Sequence, residues 1–169
     1  SVASWSRIFE LSKGPLADNL ILARANVSPD LNFSSCRGDV YDGFNALGVI
    51  VTGRWMHVAA TLGAANADGK ATATIYVNGI AEASRLVSAP RNLARPVSYA
   101  GKSAYSDALF KGRMAELRIW TRPRTQDELR STMSREPATQ LWPVAAKTPA
   151  TWALAALSRS ASAKTTKGD

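Results

Sequence analysis

Residues 72–83, TATIYVNGIAEA, decide how the rest of the chain is interpreted. An Asn78-Gly79 pair lies between two runs that alternate apolar and polar residues, which is the strongest short-range signal for a β-hairpin. Both residues accept positive φ, so the stretch predicts a type I′ turn that pairs Val77 with Ile80. A protein with such a hairpin is expected to contain antiparallel sheet.

Short runs of the same kind recur up to residue 120. The runs are SRIFEL (6–11), DNLILAR (18–24), DLNFSSC (30–36), LGVIV (47–51), RWMHVAATL (54–62) and GRMAELRIW (112–120). Between them, RGDVYDGFNA (37–46) is predicted to be a polar, glycine-containing loop. Many short strands at this spacing favour an all-β sandwich or barrel over a fold of alternating strands and helices.

One short helix is predicted near the C-terminal end. Thr125 and Glu128 have the spacing of a capping box, in which each side chain bonds the backbone of the other residue. After Glu136-Pro137 the pattern decays, and residues 137–169 are predicted to be a low-complexity basic tail or linker.

Composition limits the classes of protein. The chain has 169 residues, which fits one domain, and its apolar runs are too short for a membrane span.

The net charge is +8, and residues 85–135 hold 11 basic and 4 acidic groups, so this segment alone carries +7. Such a segment favours an anionic partner, although a solvated basic surface is the alternative. No aromatic residues interleave with it as on a nucleic-acid platform, and we expect no nucleic-acid partner. The single cysteine, Cys36, excludes an internal disulfide.

The order of the motifs resembles the laminin-G-like jelly roll of the concanavalin A-like lectin/glucanase superfamily over about residues 5–130. The matching motifs are Gly53-x-Trp55-x-His57-Val58-Ala59, Tyr76-Val77-Asn78-Gly79, Gly101-x-Ser103 and Phe110-x-Gly112-x-Met114-x-Glu116-Leu117-Arg118-Ile119-Trp120. The resemblance implies an all-β, two-sheet antiparallel jelly-roll sandwich with one short helix near the C-terminal end, formed by residues 1–136.

Two strands expected from the resemblance are missing or faint. The family begins with a strand before SRIFEL that has no counterpart here, and its closing strand after the helix has only ATWALAAL (150–157) as a candidate. The fold is therefore expected to be incomplete in this chain alone, or to be completed by another polypeptide in a larger chain or assembly.

Catalysis is not expected. Glucanase relatives on this fold use Glu-x-Asp-x-(x)-Glu, which aligns carboxylates along one strand face for acid and nucleophile chemistry, and the sequence lacks this constellation. Glu116 stands alone on its predicted strand. The only histidine, His57, occupies a position where the family carries a structural histidine.

The resemblance implies a non-catalytic recognition module of a larger extracellular or cell-surface protein, with glycan or protein ligands and a role in adhesion. The candidate ligand-binding residues are Tyr41, Phe44, Tyr99, Tyr105, Arg122 and Arg124. The alternatives are a structural docking subunit in a large assembly and an accessory domain of an enzyme.

Metal and glycan attachment are further expectations. Asp39, Asp42 and Asn45 share one predicted loop and are candidate calcium ligands, since calcium prefers oxygen; an acidic loop without metal is the alternative. Asn32 and Asn26 begin glycosylation sequons, which apply if the protein is a secreted glycoprotein; Pro29 weakens the second.

Overall fold

The computed structural model describes residues 4–134 and 152–159. The strands are β1 (Arg7–Leu11), β2 (Leu20–Arg24), β3 (Leu31–Arg37), β4 (Val40–Ala46), β5 (Trp55–Leu62), β6 (Lys70–Val77), β7 (Ile80–Ser88), β8 (Tyr99–Ala100), β9 (Arg113–Trp120) and β10 (Trp152–Arg159). The helix α1 spans Gln126–Thr132. No helix among these residues is long and apolar enough to cross a membrane.

The described strands form two antiparallel sheets, as expected for a jelly-roll sandwich. The first sheet has the order β4-β3-β2-β1-β8, and the second has the order β7-β6-β5-β10-β9. The core lies between them, and its largest fully buried members include Leu22, Leu31 and Ile75. Because side chains alternate along each strand, every second residue points away from this core to an outer face.

The hairpin predicted from residues 72–83 is confirmed. β6 and β7 pair with Val77 opposite Ile80, and Asn78 and Gly79 have φ values of 50° and 73°. Asn78 also accepts a hydrogen bond from the amide of His57, so the turn is fixed to the neighbouring strand β5.

Two predictions about the segment 37–51 are wrong. Residues 40–46 form strand β4, because Gly38 adopts φ 63° in a two-residue turn that lets β4 pair back on β3. The Gly38-Asp39 pair was a hairpin signal that the polar composition concealed. Residues 47–51 are a loop in which Val49 and Ile50 cover one end of the core.

Strand β9 departs from simple alternation. Glu116 adopts φ 58°, and the pairing with β10 shifts register at this point. As a result, Met114 and Ile119 pack against the core, whereas Leu117 is 44 % exposed. A bulge of this kind re-aims the side chains on either side of it.

Strand β10 lies between β5 and β9 in the second sheet and is antiparallel to both. It includes most of the faint strand candidate at 150–157, so eight residues of the segment predicted as a tail, 152–159, are in a sheet. The domain boundary at 136 stays a prediction, and the rest of the predicted tail lies outside the described residues.

The capping box is present at the start of α1. The Thr125 hydroxyl accepts from the Glu128 amide, and the Glu128 carboxylate accepts from the Thr125 amide. Leu129 is fully buried against Ala59 and Tyr76 on the outer face of the second sheet. The helix therefore covers this face beside the β6–β7 turn.

Gly79→Ala tests this packing. A Cβ at Gly79 would lie 2.6 Å from Arg130 Cγ and 3.3 Å from Met133 Sδ, in addition to the strain of its positive φ. Gly48→Ala is the matched control, because Gly48 has φ 68° and nothing within 4 Å of its Cβ position. We expect the control to lose about 1–2 kcal/mol of unfolding free energy and Gly79→Ala to lose more. Urea unfolding measures both, and equal losses would contradict the packing of α1 on the turn.

Candidate functional site

The outer face of the first sheet carries polar side chains that are buried. Arg7 is 4 % exposed and Glu10 is not exposed at all. Asn32 and Ser34 of β3 lie on the same face and are also buried. Burial of so many polar groups is costly unless each is hydrogen-bonded, so this face must be covered by a specific segment.

Glu10 is the centre of the buried polar contacts. Its carboxylate accepts hydrogen bonds from Arg7 Nε at 3.0 Å, Asn19 Nδ2 at 2.9 Å and Ser103 Oγ at 3.3 Å. Arg7 also forms an ion pair with Asp107 at 2.8 Å. We call these five residues the Glu10 network.

A bulge in β1 makes this network possible. Residues three apart on a regular strand point to opposite faces, so Arg7 and Glu10 would be separated by the sheet. The pairing of β1 with β2 shifts register between Arg7 and Phe9, which brings both charged side chains to the outer face. Phe9 remains in the core.

The segment 103–107 covers the outer face and is tied to it at several points. The Tyr105 hydroxyl lies 2.7 Å from the Tyr41 hydroxyl of β4 and accepts a hydrogen bond from the amide of Leu16 at 2.8 Å. The Arg7 guanidinium lies 5.6 Å from the centre of the Tyr105 ring. Side chains from three distant parts of the chain therefore meet here.

A cleft of about 300 Å³ opens beside this segment, which we call the aromatic cleft. Its lining residues are Trp5, Arg7, Ile21, Asn32, Ser34, Tyr41, Tyr105 and Asp107. Trp5 is 39 % exposed and Tyr41 is 47 % exposed, so both rings offer surface to a ligand. The Asp107 side chain is 26 % exposed and presents a carboxylate to the same space.

Trp5 is held in an unusual backbone conformation. It has φ 51°, which costs a non-glycine residue about 1–2 kcal/mol. Its amide donates to the Asn26 carbonyl at 3.1 Å, and its carbonyl accepts from Arg7 Nη1 at 2.7 Å. These bonds fix the backbone from which the indole projects towards the cleft.

The structure brings together two of the four predicted aromatic residues. Tyr41 and Tyr105 meet in the aromatic cleft, although Tyr41 belongs to strand β4 and not to a loop. Phe44 faces inward and packs edge-on against Phe33 with ring centres 6.3 Å apart. Tyr99 lies in β8, outside the cleft lining, with Lys102 Nζ 4.8 Å from its ring centre.

The two predicted arginines support the helix. Arg122 and Arg124 both pair with Glu128, the capping-box residue of α1, and Arg124 also lies over the Trp120 ring. Hydrogen bonds from Arg122 and from the Thr125 amide lower the pKa of Glu128 to about 2. These contacts give both arginines a structural role, and binding of an anion there stays a prediction.

The candidate calcium ligands do not converge. Asp42 accepts from Lys70 Nζ at 2.7 Å and from the Ser88 amide at 2.7 Å, on the inner side of β4. Asn45 lies on the other face and accepts from Asn32 at 2.8 Å, while Asp39 is exposed in the turn before β4. Within residues 4–134 and 152–159, no three acidic, histidine or cysteine side chains are grouped to hold a metal ion.

The two sequons differ in accessibility. Asn32 is 6 % exposed, and its amide nitrogen donates to Phe44 O and Asn45 Oδ1, so a glycan on that nitrogen would have to displace both bonds. Asn26 is exposed in a turn. Glycan attachment at either position stays a prediction.

His57 lies on the outer face of the second sheet and is 6 % exposed. Its Nδ1 atom has no hydrogen-bond partner among the described residues. Burial, together with the nearby positive charge of Arg118, lowers the pKa of His57 to about 4. A buried imidazole that stays neutral at pH 7 fits the structural role expected from the sequence.

Sequence reasoning missed Trp5, Arg7 and Asp107. Arg7 and Asp107 have no distinguishing local pattern, because the β1 bulge and the path of the segment 103–107 bring them together. Trp5 stands immediately before the first predicted strand, and this position of a tryptophan was the one signal that the sequence offered. The structure shows that Trp5 is exposed.

Comparison with protein families gives one match. A laminin G family model, described as the Concanavalin A-like lectin/glucanases superfamily, matches residues 1–130. Neither the curated proteins nor the solved structures contain a significant match to the chain.

The His57 pKa predicts how stability depends on pH. The unfolded chain takes up a proton near pH 6.5, whereas the folded chain does so only near pH 4. The free energy of unfolding should therefore be highest above pH 6.5, where the contribution of neutral His57 is complete. It should fall by about 3 kcal/mol as the pH drops towards 4. Urea unfolding at several pH values measures this slope.

His57→Gln is the control for this prediction. It should be less stable at pH 7 but lose little further stability between pH 6.5 and 4.5. The carboxyls with lowered pKa, on Asp18, Asp42 and Glu128, act mainly below that window. An unchanged slope in His57→Gln would show that another group is responsible.

Proposed function

The chain belongs to the concanavalin A-like lectin/glucanases superfamily, and we propose that it is a non-catalytic recognition module that binds a neutral carbohydrate in the aromatic cleft. The observation that carries this proposal is the convergence of Trp5, Tyr41 and Tyr105 around one opening that also holds the Asp107 carboxylate. Domains of this family bind carbohydrate or protein ligands, and the chemistry of the cleft favours the first.

The shape and lining of the cleft suit a sugar. The apolar face of a pyranose ring packs on an aromatic side chain, and its hydroxyls need acceptors and donors at the edge of that ring. Trp5 and Tyr41 offer partly exposed rings, and Asp107 offers an acceptor beside them. The Tyr41 hydroxyl is already hydrogen-bonded to Tyr105, so the Tyr41 ring loses little freedom on binding, which favours affinity.

The charges of the cleft favour a neutral ligand. Arg7 is the one cation among the described residues that line the cleft, and it is paired with both Glu10 and Asp107, so these three residues together carry −1. A sulfated or uronic acid would gain no unpaired cation from those lining residues. An anionic partner, if the basic segment 85–135 has one, would bind on a different surface.

The same contacts support a non-catalytic role. Glycoside hydrolysis generally uses two carboxyl groups on either side of the scissile bond. Glu10 is fully buried and its oxygens are occupied by the Glu10 network, which leaves Asp107 as the one carboxylate among the described residues that line the cleft. Laminin G-like domains are generally non-catalytic, and they typically occur in extracellular proteins, where we place this module as a part of a larger adhesive or secreted chain.

Glycan-array screening followed by calorimetry tests the proposal. We expect selective binding of neutral saccharides, and a loss of about tenfold in affinity for Trp5→Ala and for Tyr41→Ala because each removes a stacking ring. Tyr41→Phe should retain most of the affinity, since the ring remains.

Tyr99→Ala is the matched control, because Tyr99 lies outside the cleft lining. It should bind as the unmodified chain does. Circular dichroism establishes that each variant is folded. The proposal fails if the unmodified chain binds no neutral saccharide, or if Tyr99→Ala weakens binding as much as Trp5→Ala.

A further inference from the structure

Strand β10 is an interior strand of the second sheet, although it lies outside the part of the chain that matches the family. The match ends at residue 130, and β10 spans Trp152–Arg159. β10 pairs with β5 over its whole length, from Trp152 opposite Leu62 to Arg159 opposite Trp55. The family-matching part alone therefore leaves a gap in this sheet.

The gap has the geometry of a strand-binding slot. β9 pairs with β10 alone among the described strands, and β5 pairs with β10 and β6. Without β10, the edges of β5 and β9 would face each other about 10 Å apart, which is twice the spacing of neighbouring strands. Two such edges supply backbone donors and acceptors to any strand that enters between them.

The sequence of β10 suits a strand that inserts into a preformed slot. WALAALSR has no proline, so every residue keeps a backbone amide that can donate to a neighbouring strand, and it has no glycine to weaken the strand. A segment of this composition has no independent stability, since a single strand needs neighbours on both sides to satisfy its backbone.

The connection to β10 is long. Residues 133–151 join the end of α1 to the start of β10, and a chain of that length spans at most about 65 Å when extended. That reach exceeds the diameter of a domain of this size, so the strand of one molecule can enter the slot of another.

We propose that the slot between β5 and β9 is a strand-exchange site, at which two copies of the chain swap β10 to form a closed dimer. A second copy is the partner that fits, because its β10 brings the same register against β5 and β9. Reciprocal exchange fills both slots and leaves no slot open, which closes the assembly at two chains. This proposal is independent of the carbohydrate proposal.

The balance between the closed monomer and the swapped dimer depends on concentration. A tethered strand is present at its own slot at an effective concentration in the millimolar range. Chains refolded at about 1 µM should therefore insert β10 into their own slot. Chains refolded at about 1 mM should exchange strands, and the fraction of dimer should be at least about tenfold higher than at about 1 µM.

Two single-cysteine variants of the full chain detect the exchange. Trp55 and Arg159 are opposite each other in the β5–β10 register, at a Cα separation that a disulfide can bridge. Trp55→Cys and Arg159→Cys are prepared separately, mixed, unfolded, refolded together at about 1 mM and oxidised with glutathione disulfide. A disulfide-linked heterodimer is expected, because neither chain can form this bond within itself. The native Cys36 is 1 % exposed and does not compete.

Val40→Cys mixed with Arg159→Cys is the matched control. Val40 is 62 % exposed on β4 of the first sheet, so it reports random collisions between exposed thiols. Light scattering on the unmodified chain, refolded at both concentrations, gives the mass without any substitution. Dimer mass at about 1 mM together with heterodimer above the control supports the exchange. Monomer mass at about 1 mM, or a dimer whose cross-linking equals the control, overturns it.

Discussion

The complete burial of the Glu10 carboxylate is the constraint on which the first sheet and its cleft depend. An ionised carboxylate removed from water needs partners on every side, since leaving it unpaired would cost several kcal/mol. Arg7, Asn19 and Ser103 meet this need from three different segments. Meeting it requires the bulge in β1 and draws the segment 103–107 onto the sheet. The cleft thus results from the contacts that satisfy the buried carboxylate. Hydrogen bonds of the segment 103–107 also position the Tyr105 and Tyr41 rings in its wall.

The two sheets use their outer faces differently. On the second sheet, α1 covers Ala59 and Tyr76 through Leu129, and the capping box with its two arginines holds the helix start in place. On the first sheet, the covering segment is irregular and leaves an opening beside it. A helix seals a face by apolar packing, whereas a loop held by hydrogen bonds leaves gaps between its attachment points. This difference in covering explains why the candidate ligand site lies on the first sheet.

The sequence predicted those features whose signals are local. The Asn78-Gly79 turn and the Thr125 capping box depend on residues within a few positions of one another, and both are present as expected. Strand β4 was mistaken for a loop because its polar outer residues hid the Gly38-Asp39 turn. The site was predicted only in part, through Tyr41 and Tyr105. Arg7 and Asp107 depend on a bulge and on a loop path, which are decided by tertiary pairing that no local pattern encodes.

Cys36 has a consequence for how the molecule can be observed. It lies on β3 with its side chain on the outer face of the first sheet, and burial raises the pKa of its thiol to about 12. At neutral pH the thiolate that alkylating reagents attack is therefore almost absent, and the sulfur is out of their reach. The chain has no other cysteine. The rate at which Cys36 is alkylated therefore measures how often the first sheet opens. Mass spectrometry can follow this rate without any added probe.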